Sequence, residues 1–162
     1  MRAILLFVAL VTMSAHASSP VYSELDAEWS ADISAKRQRI ALLAKKQYGY
    51  TLKGSPDDLA IIQRIIDENL LEKTDVVGYQ ALGVVFGDAS ASALDAEWKQ
   101  VADEYGINPV LKIKGKRAAI GALTIISKRI EDKGHVNVIV LYENLVADVR
   151  RLQPDFDTEP KK

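Results

Sequence analysis

The sequence predicts an α+β domain: N-terminal helices, a short antiparallel sheet of about three strands, and two C-terminal helices. Three observations predict it. Apolar residues recur at helical spacing through the first half. The texture changes after Leu94 to short alternating stretches punctuated by Gly, Asn and Pro. Helical spacing then returns after Thr124.

The first helix begins near Glu24, where Leu25, Trp29, Ile33, Ile40 and Leu43 define one apolar face, and stops at Tyr48-Gly49. In the second, Ser55 is a natural N-cap and Pro56 suits the first helical position. Asp57-Asp58 complement the positive end of the dipole, and Leu59, Ile62, Ile65, Ile66 and Leu70 form the buried stripe. Val76 to Leu94 reads as a third helix, apolar and rich in small residues. Its Gly83 and Gly87 lie four apart on one face, a spacing that lets two elements approach closely. Each glycine costs about 1 kcal/mol against Ala in a helix, so close packing is the expected reason for both. No strand precedes them, as a phosphate-binding loop would require.

Glu97 to Val101 reads as a strand and Asp103 to Pro109 as a turn. Val110 to Lys114 is a second strand, and Gly115-Lys116 a two-residue turn into a third at Arg117–Gly121. A short helix capped by Thr124 or Ser127 runs through Glu131 and ends at Lys133-Gly134. A last amphipathic helix spans about Val136 to Leu152 on Val138, Leu141, Leu145 and Val149.

The ends set the expected address. Met1-Arg2, an apolar run from Ala3 to Met13, and Ala15-His16-Ala17 fit a secretion signal cut after Ala17. Residues 18–153 then form one globular domain and 154–162 a disordered polar tail, in a protein expected in the periplasm. Removing residues 1–17 takes away Arg2 and no acid, leaving 20 basic against 22 acidic residues, net −2. That balance argues against nucleic-acid binding and against a polybasic membrane surface. With no later apolar span and no cysteine for lipidation, no membrane anchor is expected after cleavage.

The absence of Cys also removes thiol nucleophiles and thiolate metal sites, and one histidine, His135, remains after Ala17. A lone turn histidine reads as a solvated residue. No metal, no cofactor and no catalytic residue is assigned. Asp95, Glu97, Asp103 and Glu104, with Asp88 nearby, would serve a glycosidic hydrolase if two were paired. With 22 acids in the chain, solvated charge is the simpler reading. Lys112, Lys114, Lys116 and Arg117 form a basic hairpin edge that protects a strand from aggregation or receives an acidic partner. Trp29 and Trp98 read as core. Arg129 reads as an ion-pair partner for Asp88 or Glu97.

Leu82-Gly83-Val-Val-Phe-Gly87-Asp88, Glu97-Trp98, Asp103-Glu104-Tyr105-Gly106, Pro109-Val-Leu111 and Thr124-Ile-Ile-Ser127-Lys128-Arg129 together resemble the signature of a bacterial domain-of-unknown-function family, from about Leu59 to Leu145. The resemblance implies no reaction. The sequence style is similar to that of immunity proteins of polymorphic toxin systems. The function expected is therefore a periplasmic, non-catalytic module that binds another protein, either an envelope accessory or an immunity-like protein. Its candidate surface comprises Trp98, Asp103, Glu104, Tyr105, Lys112 and Lys114. The alternatives are a small carboxylate hydrolase and a small-molecule binder with a hollow between the third helix and the sheet.

Overall fold

The computed structural model describes residues 20–116 and 118–151. Residues 1–19, 117 and 152–162 lie outside the described residues, and with them the expected signal peptide (1–17) and the expected polar tail (154–162). Among the described residues, five α-helices and a four-stranded antiparallel sheet in the order β1-β2-β3-β4 give the α+β fold expected. The strand count is four, because a short strand precedes the first helix.

That strand is β1 (Val21–Ser23), which pairs with the far end of β2 (Ala96–Asp103). Helix α1 (Ala27–Tyr48) starts at Asp26, whose carboxylate accepts from the Trp29 N–H at 2.8 Å. It ends at Gly49, left-handed at φ 65°, a conformation glycine takes without a Cβ clash. Its buried face is Ile33, Lys36, Ile40 and Ala44. Lys36 pairs with Asp32 one turn earlier.

Helix α2 (Asp58–Asp67) begins two residues later than the Ser-Pro signal suggests. The carbonyls of Ser55 and Pro56 accept from Asp58 and Leu59 in a tight lead-in turn, and the Ser55 hydroxyl caps nothing. Asp58 does not sit in solvent at the dipole. It is fully buried and accepts from the Tyr50 hydroxyl and from the backbone N–H groups of Lys53 and Gly54, at 2.8–3.1 Å.

Helix α3 (Val76–Leu94) is the central element, with every residue from Ala81 to Gly87 buried. It packs against α1, α2, α4 (Ile125–Lys133), α5 (Val138–Arg151) and the sheet. Its apolar side chains enter all three clusters of the core: the helical one around Ile40, Ile62, Leu82 and Phe86, the sheet one through Leu94, and a small one joining Val84 to Ile33 and Leu123. A helix that is apolar all round must be covered all round, and from Ala81 to Gly87 it is.

Strands β2 and β3 (Gly106–Ile113) form a hairpin of eight residues each, turning at Glu104-Tyr105. Gly106 to Pro109, read from sequence as turn, belongs to β3. Pro109 lies opposite Gln100. Lacking an N–H, it occupies a pair whose backbone groups face the other edge, where proline is tolerated. The return to β4 (Ala119–Ile120) runs through a longer loop than two residues, since Ile113 N–H meets the Ala118 carbonyl. A 3-10 turn at Ala122–Thr124 leads into α4, which Gly134 closes. The start of α5 is held by two side chains: Asn137 accepts from Val140 N–H, and Gln63 of α2 accepts from Val138 N–H at 2.7 Å.

Candidate functional site

Gly83, Gly87, Asp88 and Trp98 of the signature meet in one structural joint. Gly87 lies against the Trp98 indole: a Cβ there would come within 2.5 Å of the ring. Gly83 lies against the 3-10 turn, where a Cβ would meet the Leu123 carbonyl oxygen at 2.4 Å. The two glycines thus let β2 and the 3-10 turn approach α3, as the packing reading expects. The next residue, Asp88, accepts from the Trp98 indole N–H at 2.9 Å and is gripped by the Arg37 guanidinium at 2.6 and 2.9 Å. The Asp88 hydrogen bond raises the Arg37 pKa against the opposing effect of burial. The expectation that Arg129 pairs with Asp88 or Glu97 is therefore corrected. Arg37 holds Asp88, Lys99 holds Glu97, and Arg129 donates to the Ile125 carbonyl of its own helix. Arg37 was missed because 51 residues separate it from Asp88.

The six residues proposed as one binding surface are divided. Trp98 is half-buried at the α3 joint. Lys112 is buried to 7% on the opposite face of the sheet, its ammonium 4.8 Å from the Tyr22 ring centroid, and so is no exposed edge charge. Lys114 stands at the other end of the hairpin, 3.3 Å from Asp95. Asp103, Glu104 and Tyr105 do meet at the hairpin tip. Asp103 accepts from Tyr105 N–H at 2.9 Å, fixing the turn, and Tyr105 is 83% exposed. Three residues absent from the candidate set lie beside them. Val21 pairs with Ala102 and Ala102 with Ile107, so the three share one sheet face. All three are exposed, beyond the reach of the helices.

The acids fall at the two ends of β2, Asp95 and Glu97 at its start and Asp103 and Glu104 at its end. Glu97 and Asp103 are six residues apart along β2, about 20 Å at the usual strand rise. Paired glycosidase carboxylates stand about 5–9.5 Å apart. No cluster of three metal-ligating side chains occurs among the described residues. None of their helices is long and apolar enough to cross a membrane.

The hollow expected between α3 and the sheet is filled by Trp98, Ala122 and Leu123. Open clefts lie on either side of α4 instead. One, of about 610 Å³, runs between the end of α2, the start of α3 and α4, with Ile66, Tyr79 and Ile130 in its wall. The Tyr79 phenol is pushed up, first by burial and then by Asp75. The second, of about 390 Å³, separates α4 from α5. His135, exposed in the connecting loop, touches both.

The fold is shared with a protein from Bacteroides thetaiotaomicron VPI-5482 whose crystal structure is known at 1.50 Å. The TM-score is 0.72 at 17% identity, over 83% of this chain and 50% of that one. This chain thus spans about half the length of that relative. No curated protein matches. Residues 58–142 match the family described as Domain of unknown function (DUF3806). This stretch exceeds half of the 162 residues and contains the α3 joint, the hairpin and α4. By that match the chain belongs to the DUF3806 family.

Proposed function

We propose that the protein is exported and acts without catalysis, binding another protein through the open end of the β2–β3 hairpin. One observation carries this reading: Val21, Ala102 and Ile107 lie side by side on an uncovered sheet face, with Tyr105 standing 83% exposed beside them. Tyrosine is a frequent anchor of protein interfaces, and apolar groups around it exclude water. Asp103 and Glu104 rim the patch, so the partner presents an apolar surface with basic residues at its border. The N-terminal leader supports export, and the soluble compartment it leads to is the periplasm. An envelope accessory and a toxin-immunity protein both fit, and a toxin gene beside this one would favour the second. The separation of the carboxylates weighs against the hydrolase reading.

The test begins with the protein recovered from the periplasmic fraction, whose N-terminus should be Ser18. A photo-crosslinking residue at position 105 should capture one defined partner in cells, while the same residue at Lys45 on α1 should not. Tyr105→Ala should keep its melting temperature, since surface changes shift stability by less than about 0.5 kcal/mol. It should lose partner affinity by roughly thirtyfold, about 2 kcal/mol. Early melting of Tyr105→Ala, or unchanged affinity, would remove the hairpin tip from consideration.

A further inference from the structure

Helices α4 and α5 both pack on α3 and leave between them the cleft of about 390 Å³. Its α4 wall carries Ile125, Arg129 and Lys133, successive turns of one face. Its α5 wall carries Leu141, Asn144 and Leu145. Arg129 is half-buried and uses one guanidinium nitrogen, on the Ile125 carbonyl at 2.8 Å. Neither Arg129 nor Lys133 has a carboxylate partner among the described residues. Asp148 also lines the cleft and lies 3.8 Å from Arg151.

An arginine has five N–H donors in a planar fork that suits a carboxylate or a phosphate. Holding two cations a turn apart in a partly apolar cleft is unfavourable by itself, and an anion between them relieves the repulsion. Lys133 also complements the negative end of α4, but that accounts for neither the placement of Arg129 four residues earlier nor its unused donors. Ile125, Leu141 and Leu145 pack on the core with one side and leave the other half-exposed in the cleft, where an apolar group can cover it.

We propose that the α4–α5 cleft binds a small organic anion, its carboxylate or phosphate held by Arg129 and Lys133 and its apolar body laid against Ile125, Leu141 and Leu145. Asn144 supplies an amide to any polar substituent between the two. The inference is independent of the hairpin tip, which lies on the sheet.

Amide NMR titration of the mature protein with hexanoate, hexyl phosphate and inorganic phosphate tests it. Saturable shifts confined to α4 and α5 are expected with hexanoate, hexyl phosphate or both, and their relative affinity identifies the head group. Arg129→Gln should weaken binding at least about tenfold, and Asp148→Asn should leave it intact or strengthen it. If Arg129→Gln lowers the melting temperature, Lys133→Gln, at an exposed position, carries the same expectation. Absence of saturable shifts, inorganic phosphate binding as tightly as hexyl phosphate, or unchanged affinity in a folded charge variant would overturn the proposal.

Discussion

Gly83 and Gly87 are equivalent in sequence and differ in what they touch. A methyl at Gly83 would press on a backbone carbonyl at 2.4 Å, which moves only if the 3-10 turn moves. A methyl at Gly87 would press on the edge of the Trp98 ring, which is pinned by Asp88. Overpacking costs about 1–3 kcal/mol, against which the better helix propensity of Ala returns about 1 kcal/mol. Both Ala variants are therefore expected to lower the urea midpoint, Gly83→Ala the more. Equal or higher midpoints would show that neither approach is tight. Asp88→Ala breaks the same joint from its polar side, leaving the Trp98 N–H and the Arg37 guanidinium without their acceptor. Hydrogen bonds involving charged groups contribute about 1.5–3 kcal/mol, so a loss of about 2 kcal/mol is expected by denaturation. Asp88→Asn, which keeps an acceptor for the indole, should lose less.

At the scale of elements, the loop between α1 and α2 depends on one carboxylate. Asp58 is fully buried and accepts from three groups of residues 50–54. Asn in its place turns one acceptor oxygen into a donor facing donors, an arrangement that costs about 1–3 kcal/mol. Asp58→Asn should destabilise by about 2 kcal/mol in urea unfolding and expose the loop to limited proteolysis. Asp57→Asn should change stability by less than about 1 kcal/mol, because the Lys53–Asp57 pair is exposed. Element by element, legibility in the sequence followed burial. Helix α3 was readable at both ends because nineteen residues of apolar and small character end sharply. Strand β1 was not, since three largely exposed residues are a strand only through pairing with β2, some 80 positions away. Gly106 to Pro109 have the composition of a turn, and the eight-residue ladder with β2 overrides it. Of the candidate surface, the turn residues were legible from local chemistry. The burial of Lys112 and the separation of Lys114 depend on sheet faces and on long-range pairing, which no local pattern encodes.

For the whole molecule, the raised pKa values share one sign. The phenols of Tyr48, Tyr50 and Tyr79 are all pushed above their ordinary value, burial being the largest cause in each. Lys99 is raised as well, chiefly by its hydrogen bond to Glu24. A group whose pKa is higher folded than unfolded contributes stability that is complete below the unfolded value and disappears as pH rises through the folded one. The urea midpoint should therefore hold steady from neutral pH upward and fall beyond about pH 10, where free tyrosine ionises. Tyr79→Phe should flatten part of that fall. A midpoint that rises in this range would contradict the buried phenols.

The charge on Asp88 has a consequence before any folding takes place. Helix α3 has nineteen residues, near the length of about 20 that halts a chain inside a bilayer, and it falls short in apolar character. Under the export proposed above, that segment passes through the translocation channel unfolded, without Arg37 beside it. A lone carboxylate well inside such a stretch opposes lateral release into lipid by about 2.5–3.5 kcal/mol. Under that proposal, the side chain that pins Trp98 in the finished protein would also help the unfinished one through the channel, and a neutral residue in its place would threaten delivery as well as stability.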